Sequence, residues 1–154
     1  MPSRRARVPA GSAKRIRQPL GQPRTQAVHY RDPRGAEPVR DYLEKLPPKI
    51  RANVRRQLLR LNGRDPGAPP LPFPLTSQIE GELRELRAHY GDTLYRVLYR
   101  RSRNLIVLLH ILEKHTDAVP EADKQVARDR WKDYEKRMAA APRKKPRALG
   151  HDEP

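Results

Sequence analysis

The chain has 154 residues, a formal net charge of +16 and no cysteine, which excludes disulfides, cysteine-ligated zinc and a thiol nucleophile. No apolar run approaches the roughly 20 residues that span a bilayer, and no apolar core follows the basic N-terminus, so we expect a cytoplasmic protein without a membrane partner. The positive charge favours a polyanion such as RNA or DNA as a partner.

The two ends of the chain differ in composition from its middle. Residues 1–26 hold seven arginine and lysine residues, four prolines and no acidic residue. Such a segment buries too little apolar surface to offset the entropy lost on ordering, so we expect a disordered basic tail, either a phosphate-binding arm or an inert extension. Residues 139–154 are dominated by alanine, proline, lysine and arginine and are expected to form a second disordered tail. The folded domain is therefore predicted over residues 27–138.

The first part of this domain is predicted to contain one strand and two helices. Residues 27–30 have the composition of a short strand that ends at an Asp-Pro-Arg-Gly turn. Helices are predicted over residues 37–46 and 49–62, because apolar residues recur at helical spacing on one face of each. These apolar residues are Val39, Tyr42, Leu43 and Leu46 in the first helix and Ile50, Val54, Leu58 and Leu61 in the second. We expect the two helices to form a hairpin that packs against a sheet.

A proline-rich connector is predicted to follow the helices, over residues 64–79, which contain five prolines. Prolines at this density interrupt both helices and sheets. Four apolar side chains are expected to hold the connector against the domain, namely Leu71, Phe73, Leu75 and Ile79.

Three strands and a helix are predicted after the connector. The strands cover residues 82–89, 94–100 and 105–112, which are β-branched, aromatic and aliphatic runs between turn residues. The helix covers residues 120–138, with a packing stripe made of Ala127, Trp131, Tyr134 and Met138. The order β-α-α-β-β-β-α predicts an α+β fold, with a small antiparallel sheet, an N-terminal helical hairpin and a C-terminal helix, and with the helices largely on one face.

Few catalytic chemistries fit the side chains that the chain offers. It lacks a close pair of carboxylates, a glycine-rich phosphate loop, a serine in a nucleophile-elbow setting and histidines at metal-ligand spacing, so we expect no metal and no cofactor. Four basic side chains stand on or just after the predicted strands, namely Arg87, Arg96, Lys114 and His115. This set fits RNA cleavage by the RNA's own 2′-hydroxyl, in which arginine neutralises the phosphate and lysine or histidine moves protons.

Most of these side chains also have a plainer interpretation. If Leu86 faces the core, Glu85 and Arg87 face outward, and Arg87 is then a surface arginine paired with a neighbouring glutamate. Arg96 has apolar neighbours on both sides, and the pattern does not decide which face of its strand is buried. His110 lies within an apolar strand and is expected to be a hydrogen-bonded core histidine.

The order and spacing of several short motifs resemble the phage-derived, HigB-like branch of the RelE/ParE toxin superfamily over about residues 27–138. The motifs are Glu85-Leu86-Arg87, Tyr95-Arg96-Val97-Leu98-Tyr99, Ile106-Val107-Leu108-Leu109-His110, Lys114-His115-Thr116 and Asp133-Tyr134. The resemblance implies a RelE-like fold and a type II toxin–antitoxin toxin that cleaves mRNA on the ribosome. It also implies a cognate antitoxin, either a helix-turn-helix repressor or a small acidic protein, and catalytic positions at Arg87, Arg96 and Lys114. His115 stands in place of the family's second lysine and is expected to act as an acid or base.

The chain departs from the family pattern at two further positions. Leu112 stands where a phenylalanine is usual, and Val119 stands where a threonine usually precedes the proline of the last helix. Two alternatives therefore stay open. One is a non-enzymatic toxin of the ParE type that inhibits DNA gyrase, and the other is a catalytically weakened basic protein that binds nucleic acid or an antitoxin.

Overall fold

The structure is a computed structural model that describes residues 23–113 and 118–141. The described residues form a five-stranded sheet with three helices. In chain order the elements are β1 (Gln26–His29), α1 (Pro38–Glu44), α2 (Pro48–Leu59), β2 (Thr76–Glu80), β3 (Leu83–Tyr90), β4 (Thr93–Ser102), β5 (Leu105–Glu113) and α3 (Glu121–Ala140). Each predicted element is present with bounds that differ by a few residues, and the α+β class is confirmed. No helix in these two ranges combines the length and the apolar character that crossing a bilayer requires.

One strand was missing from the prediction. The segment predicted as a proline-rich connector ends in β2, which pairs with β3 in antiparallel orientation. Two of the four apolar side chains, Leu71 and Leu75, pack against the core on one face of the sheet, and Ile79 packs against the core on the other face. Phe73 does the opposite of what was expected, because 71% of it is exposed.

The sheet is mixed rather than antiparallel, with the strand order β1-β5-β4-β3-β2. Strands β2 to β5 are joined as antiparallel neighbours, but β1 pairs with β5 in parallel orientation. A parallel pair needs a long crossover, and the chain between β1 and β5 contains two helices and three strands. The prediction of an antiparallel sheet is therefore wrong at this edge.

The helices cover both faces of the sheet, which corrects the prediction that they lie largely on one face. Helices α1 and α2 pack on one face, against side chains that include Leu86, Val97 and Ile106. Helix α3 packs on the other face, against side chains that include Leu98 and Val107. We call the second surface the α3 face. Because successive strand residues point to opposite sides, apolar residues at consecutive positions of β4 and β5 fill two cores rather than one.

Two local features set which side chains share the α3 face. A two-residue turn joins β3 to β4, with Gly91 at φ +61°, a conformation that glycine adopts without steric cost. A bulge in β5 makes Leu98 pair with His110 and Tyr99 pair with Leu108. The bulge leaves one extra residue on β5, so that Leu109 joins the α3-face core and the next residue, His110, also bonds to α3.

Candidate functional site

The β3–β4 hairpin brings the two predicted catalytic arginines together. Arg87 and Arg96 are directly paired across the two strands. Directly opposite residues of an antiparallel pair project from the same side of the sheet. For both arginines this is the α3 face, because Arg96 lies two residues from Leu98, whose side chain is in the α3-face core.

Glu85 lies at the centre of this arrangement. Arg96 holds its carboxylate through two hydrogen bonds, from Nε to Oε1 at 2.6 Å and from Nη2 to Oε2 at 3.0 Å. The same Oε2 accepts a bond from Arg87 Nε at 3.0 Å and one from Ser77 Oγ at 2.7 Å. Both Glu85 and Arg96 are only 1% exposed. We call Ser77, Glu85, Arg87 and Arg96 the Glu85 cluster, and its formal charge is +1.

Arg87 is the member of the cluster that reaches solvent. Its side chain is 19% exposed, and its guanidinium lies 5.4 Å from the centre of the Phe73 ring. Only Nε of Arg87 bonds to Glu85, and its two terminal amino groups donate no hydrogen bond to the described residues. Arg87 is thus oriented by one bond while the part of the fork that binds anions is left available.

The plainer interpretation of Arg87 is partly correct. Leu86 does face the helical hairpin, and Arg87 does pair with a neighbouring glutamate. The expectation that Glu85 faces outward is wrong, because the other face of the sheet is also covered and Glu85 is buried there. Burying a single ion is strongly unfavourable, and the two arginine partners of Glu85 compensate this cost.

The two predicted proton-transfer residues, Lys114 and His115, lie outside the described residues. The described part of β5 ends at Glu113, which pairs with Tyr95, the neighbour of Arg96 on β4. Tyr42 donates a hydrogen bond from its hydroxyl to Glu113 Oε1 at 3.1 Å. Burial and this bond raise the pKa of Tyr42 to about 12, so its hydroxyl stays protonated and keeps α1 attached to the end of β5.

His110 is hydrogen-bonded, as predicted, but its side chain is 18% exposed and lies at the margin of the core rather than inside it. Its Nε2 lies 2.7 Å from Asp123 Oδ1, and its Nδ1 lies 3.4 Å from Arg130 Nη1. Arg130 also donates to the backbone oxygen of Leu109 at 2.8 Å, and burial lowers the pKa of Arg130. Both ring nitrogens of His110 therefore face groups on α3, which fits an anchor between β5 and α3.

The Glu85 cluster is expected to make folding stability depend on acid pH. Burial raises the pKa of Glu85, but hydrogen bonds from Arg96 and Ser77 and the Arg96 charge outweigh burial and bring the pKa below its usual 4.5. A carboxylate with a lowered pKa stabilises the fold fully above its unfolded pKa, and this contribution disappears as pH falls through the folded pKa. The stability advantage of the wild type over Glu85→Gln should therefore be complete above pH 4.5 and shrink below it.

This dependence is measured by urea unfolding of both proteins between about pH 6 and 3, the range in which carboxylates titrate. Glu44→Gln is the matched control, because Glu44 is half exposed and, among the described residues, pairs only with the exposed Arg40. A wild-type advantage over Glu85→Gln that stays constant down to the lowest pH would contradict the assignment of this titration to Glu85.

Comparison with known families adds an independent observation. The profile of the family described as "Phage derived protein Gp49-like (DUF891)" matches residues 41–132, which is more than half of the chain. No protein with a curated description matches the chain. The matched range contains the whole Glu85 cluster and Phe73, together with β2 to β5 and most of the helices.

Proposed function

The chain belongs to the phage-derived Gp49-like family, and from this premise we propose that it is the toxin of a type II toxin–antitoxin pair and cleaves mRNA on the ribosome. The family match is compatible with a toxin of such a pair, and the RelE-like, HigB-like resemblance of the motifs points to the same class. The proposed reaction is metal-independent. The 2′-oxygen of the RNA attacks the adjacent phosphorus, the 5′-oxygen leaves, and a 2′,3′-cyclic phosphate forms.

The observation that carries the proposal is the state of Arg87. Its guanidinium is oriented by Glu85, its terminal amino groups are unused within the described residues, and part of the side chain is open to solvent. An oriented donor pair of this kind stabilises the extra negative charge that develops on a phosphate during attack, without reorganisation at the moment of reaction. We assign Arg87 the contact with the scissile phosphate.

Arg96 is assigned a different role from the one expected for it. Its side chain is 1% exposed and holds both oxygens of Glu85, so it acts on the substrate through Glu85 and Arg87. In this arrangement Arg96 is a positioning residue. Its charge also neutralises Glu85, which leaves the charge of Arg87 uncompensated and available to an anion.

Proton transfer is assigned to residues outside the Glu85 cluster. Glu85 is a poor general base, because it is buried, ion-paired and has a lowered pKa. Lys114 and His115 therefore remain our candidates, with His115 as acid or base and Lys114 as a second proton-transfer or electrostatic group. Accepting the 2′-hydroxyl proton and protonating the leaving 5′-oxygen are the two steps that they would share.

We assign Phe73 a role in RNA binding, which its sequence context did not predict. It is the only phenylalanine in the chain, it is 71% exposed, and its ring contacts the guanidinium of Arg87. An exposed ring beside a phosphate-binding arginine provides a surface on which an unpaired base stacks. The sequence feature that could have indicated this role is a single aromatic residue between prolines, because such a residue is difficult to bury.

Replacing Phe73 with alanine is expected to weaken RNA binding by about 1–3 kcal/mol, because one base–aromatic stack is lost. The melting temperature should stay within about 2 °C of the wild type, since exposed residues contribute little to stability. Binding is measured by fluorescence anisotropy with a short single-stranded RNA, and Phe73→Tyr, which keeps a ring, is the matched control. Equal affinity of the alanine variant and the wild type would exclude Phe73 from the RNA site.

The proposal itself is tested with the wild-type chain and purified ribosomes. We expect new mRNA 5′-ends that appear only when both the ribosome and the protein are present, and 2′,3′-cyclic phosphate on the upstream product. A DNA gyrase supercoiling assay is run beside it, because a ParE-type toxin would inhibit supercoiling and leave mRNA intact. A small protein encoded next to this chain that binds it and stops cleavage would be the antitoxin.

A further inference from the structure

A groove of about 310 Å³ lies between α3 and the turn that joins β2 to β3. Its lining combines apolar residues with charges of both signs. The residues that matter here are Leu83, Arg100, Ala127, Trp131, Glu82 and Glu135. The groove lies on the α3 face, and Arg100 is four residues from Arg96 on β4, which is about 13 Å along a strand. It is thus a different place from the Glu85 cluster.

Arg100 is a cation without an acidic partner in the described part of the chain. Its guanidinium lies 4.7 Å from the centre of the Trp131 ring, and its Nε is buried with no hydrogen-bond acceptor within residues 23–113 and 118–141. Other arginines of this face are paired, since Arg87 and Arg96 bond to Glu85 and Arg128 bonds to Glu80. A partly buried guanidinium stacked on a ring and lacking a carboxylate is a site prepared for an anion.

Trp131 supplies a second unused donor at the same groove. The residue is 8% exposed, and its ring stacks on Tyr134 at 5.3 Å, so its orientation is held by packing. The indole Nε1 is buried and donates no hydrogen bond to any residue that the structure describes. Buried polar groups without a partner are rare in folded proteins, so this donor is suited to an acceptor that a ligand would supply.

The rest of the groove indicates which kind of anion fits. Leu83 and Ala127 are buried apolar residues, which suit an aliphatic side chain. Besides Arg100, the charged residues of the lining are Glu80, Glu82, Glu135, Arg128 and Lys132. Their charges nearly cancel, so the groove does not offer the excess positive charge that attracts a chain of phosphates. A single carboxylate next to an apolar group satisfies the two donors and needs only the one positive charge of Arg100.

We propose that this groove binds a short acidic peptide segment of a partner protein. A carboxylate of the segment accepts hydrogen bonds from Arg100 and from Trp131 Nε1, and a neighbouring aliphatic side chain packs on Leu83 and Ala127. The proposal does not depend on mRNA cleavage, because none of these groups belongs to the Glu85 cluster.

The test begins with a library of random hexapeptides displayed on phage and selected on the immobilised full-length chain. Selection on Arg100→Gln runs in parallel. We expect the wild type to enrich peptides in which aspartate or glutamate stands beside an aliphatic residue, and we expect Arg100→Gln to lose this enrichment. Arg34→Gln, the same change of charge in an exposed loop after β1, is the matched control and should behave like the wild type.

The most enriched peptide is then synthesised together with its amide analogue, in which the acid becomes glutamine or asparagine. Trp131 is the only tryptophan of the chain, so its fluorescence reports directly on the groove. We expect a saturable change with the acidic peptide and at least about tenfold weaker binding by the amide analogue and by Arg100→Gln, because a charge-assisted bond is lost. Trp131→Phe, followed with a labelled peptide, should also weaken binding, since it removes only the indole donor and part of the ring.

Several results would overturn the proposal. One is enrichment of peptides without acidic residues, or enrichment of acidic peptides that persists on Arg100→Gln. Another is equal binding of the acidic peptide and its amide analogue. A third is a fluorescence change that a twelve-nucleotide uridine oligonucleotide produces in the wild type and not in Arg100→Gln, because this would make the groove a nucleic-acid site. Circular dichroism checks that each variant is folded. If Arg100→Gln does not fold, Trp131→Phe and the amide analogue of the peptide still decide the test.

Discussion

Replacing Arg87 with alanine is expected to lower the rate of ribosome-dependent mRNA cleavage by about 10²–10³-fold, which is the usual effect of removing one donor that stabilises a transition state. The fold should survive the change, because Glu85 keeps its two bonds from Arg96 and its bond from Ser77. The rate is measured by primer extension on a defined mRNA with purified ribosomes, with the variant in excess over the ribosomes.

Two variants make this result interpretable. Arg87→Lys keeps the charge but loses the planar fork, so we expect it to recover only a small part of the activity. Arg60→Ala removes an exposed arginine from just after α2, on the other side of the sheet, and should cleave like the wild type. If Arg87→Ala also cleaves like the wild type while its melting temperature is unchanged, Arg87 does not contact the scissile phosphate.

The pairing of Arg87 with Arg96 could be predicted from the sequence. The residues Tyr90-Gly91-Asp92 signalled a turn, and a two-residue turn that begins at Gly91 pairs Tyr90 with Thr93. Counting back along both strands then places Arg87 opposite Arg96. The local rules of hairpins therefore predict which side chains meet, although they do not predict what covers them.

The burial of Glu85 depended on information that no local pattern carries. The alternation in β3 correctly places Leu86 on the opposite side from Glu85. Whether that opposite side is solvent or a second core depends on where α3 packs, and α3 is nearly 40 residues further along the chain. Without knowledge of this tertiary packing, the sequence pattern predicts that Glu85 is a surface residue. It then gives no indication of the ion pair that orients Arg87.

The strand β2 was missed because its neighbours in the sequence dominate the pattern. It is five residues long, contains one strongly apolar residue, and directly follows a segment with five prolines. Its strand geometry comes from pairing with β3, where Ser77 lies opposite Glu85. Edge strands of this kind are stabilised mainly by the neighbour they pair with, which is why propensity describes them poorly. Missing β2 also meant missing Ser77 as a member of the Glu85 cluster.

Replacing Arg96 with methionine is expected to destabilise the protein by about 3–5 kcal/mol, because it leaves the buried Glu85 carboxylate without its main partner. This is a large part of the 5–15 kcal/mol that holds a typical domain together. Urea unfolding near 15 °C, close to the temperature of greatest stability, measures the loss. The double variant Glu85→Leu with Arg96→Met should recover most of it, since an apolar pair of similar volume often replaces a buried ion pair at little cost.

The double variant also separates folding from catalysis. It retains Arg87 but removes the carboxylate that orients the guanidinium, so we expect a folded protein whose cleavage rate falls by about tenfold or more, because a misplaced catalytic group costs rate even when the group is present. If the double variant is as unstable as Arg96→Met, contacts of Arg96 other than the one with Glu85 dominate its role. If it is stable and cleaves at the wild-type rate, Glu85 does not position Arg87, and the buried ion pair serves the fold alone.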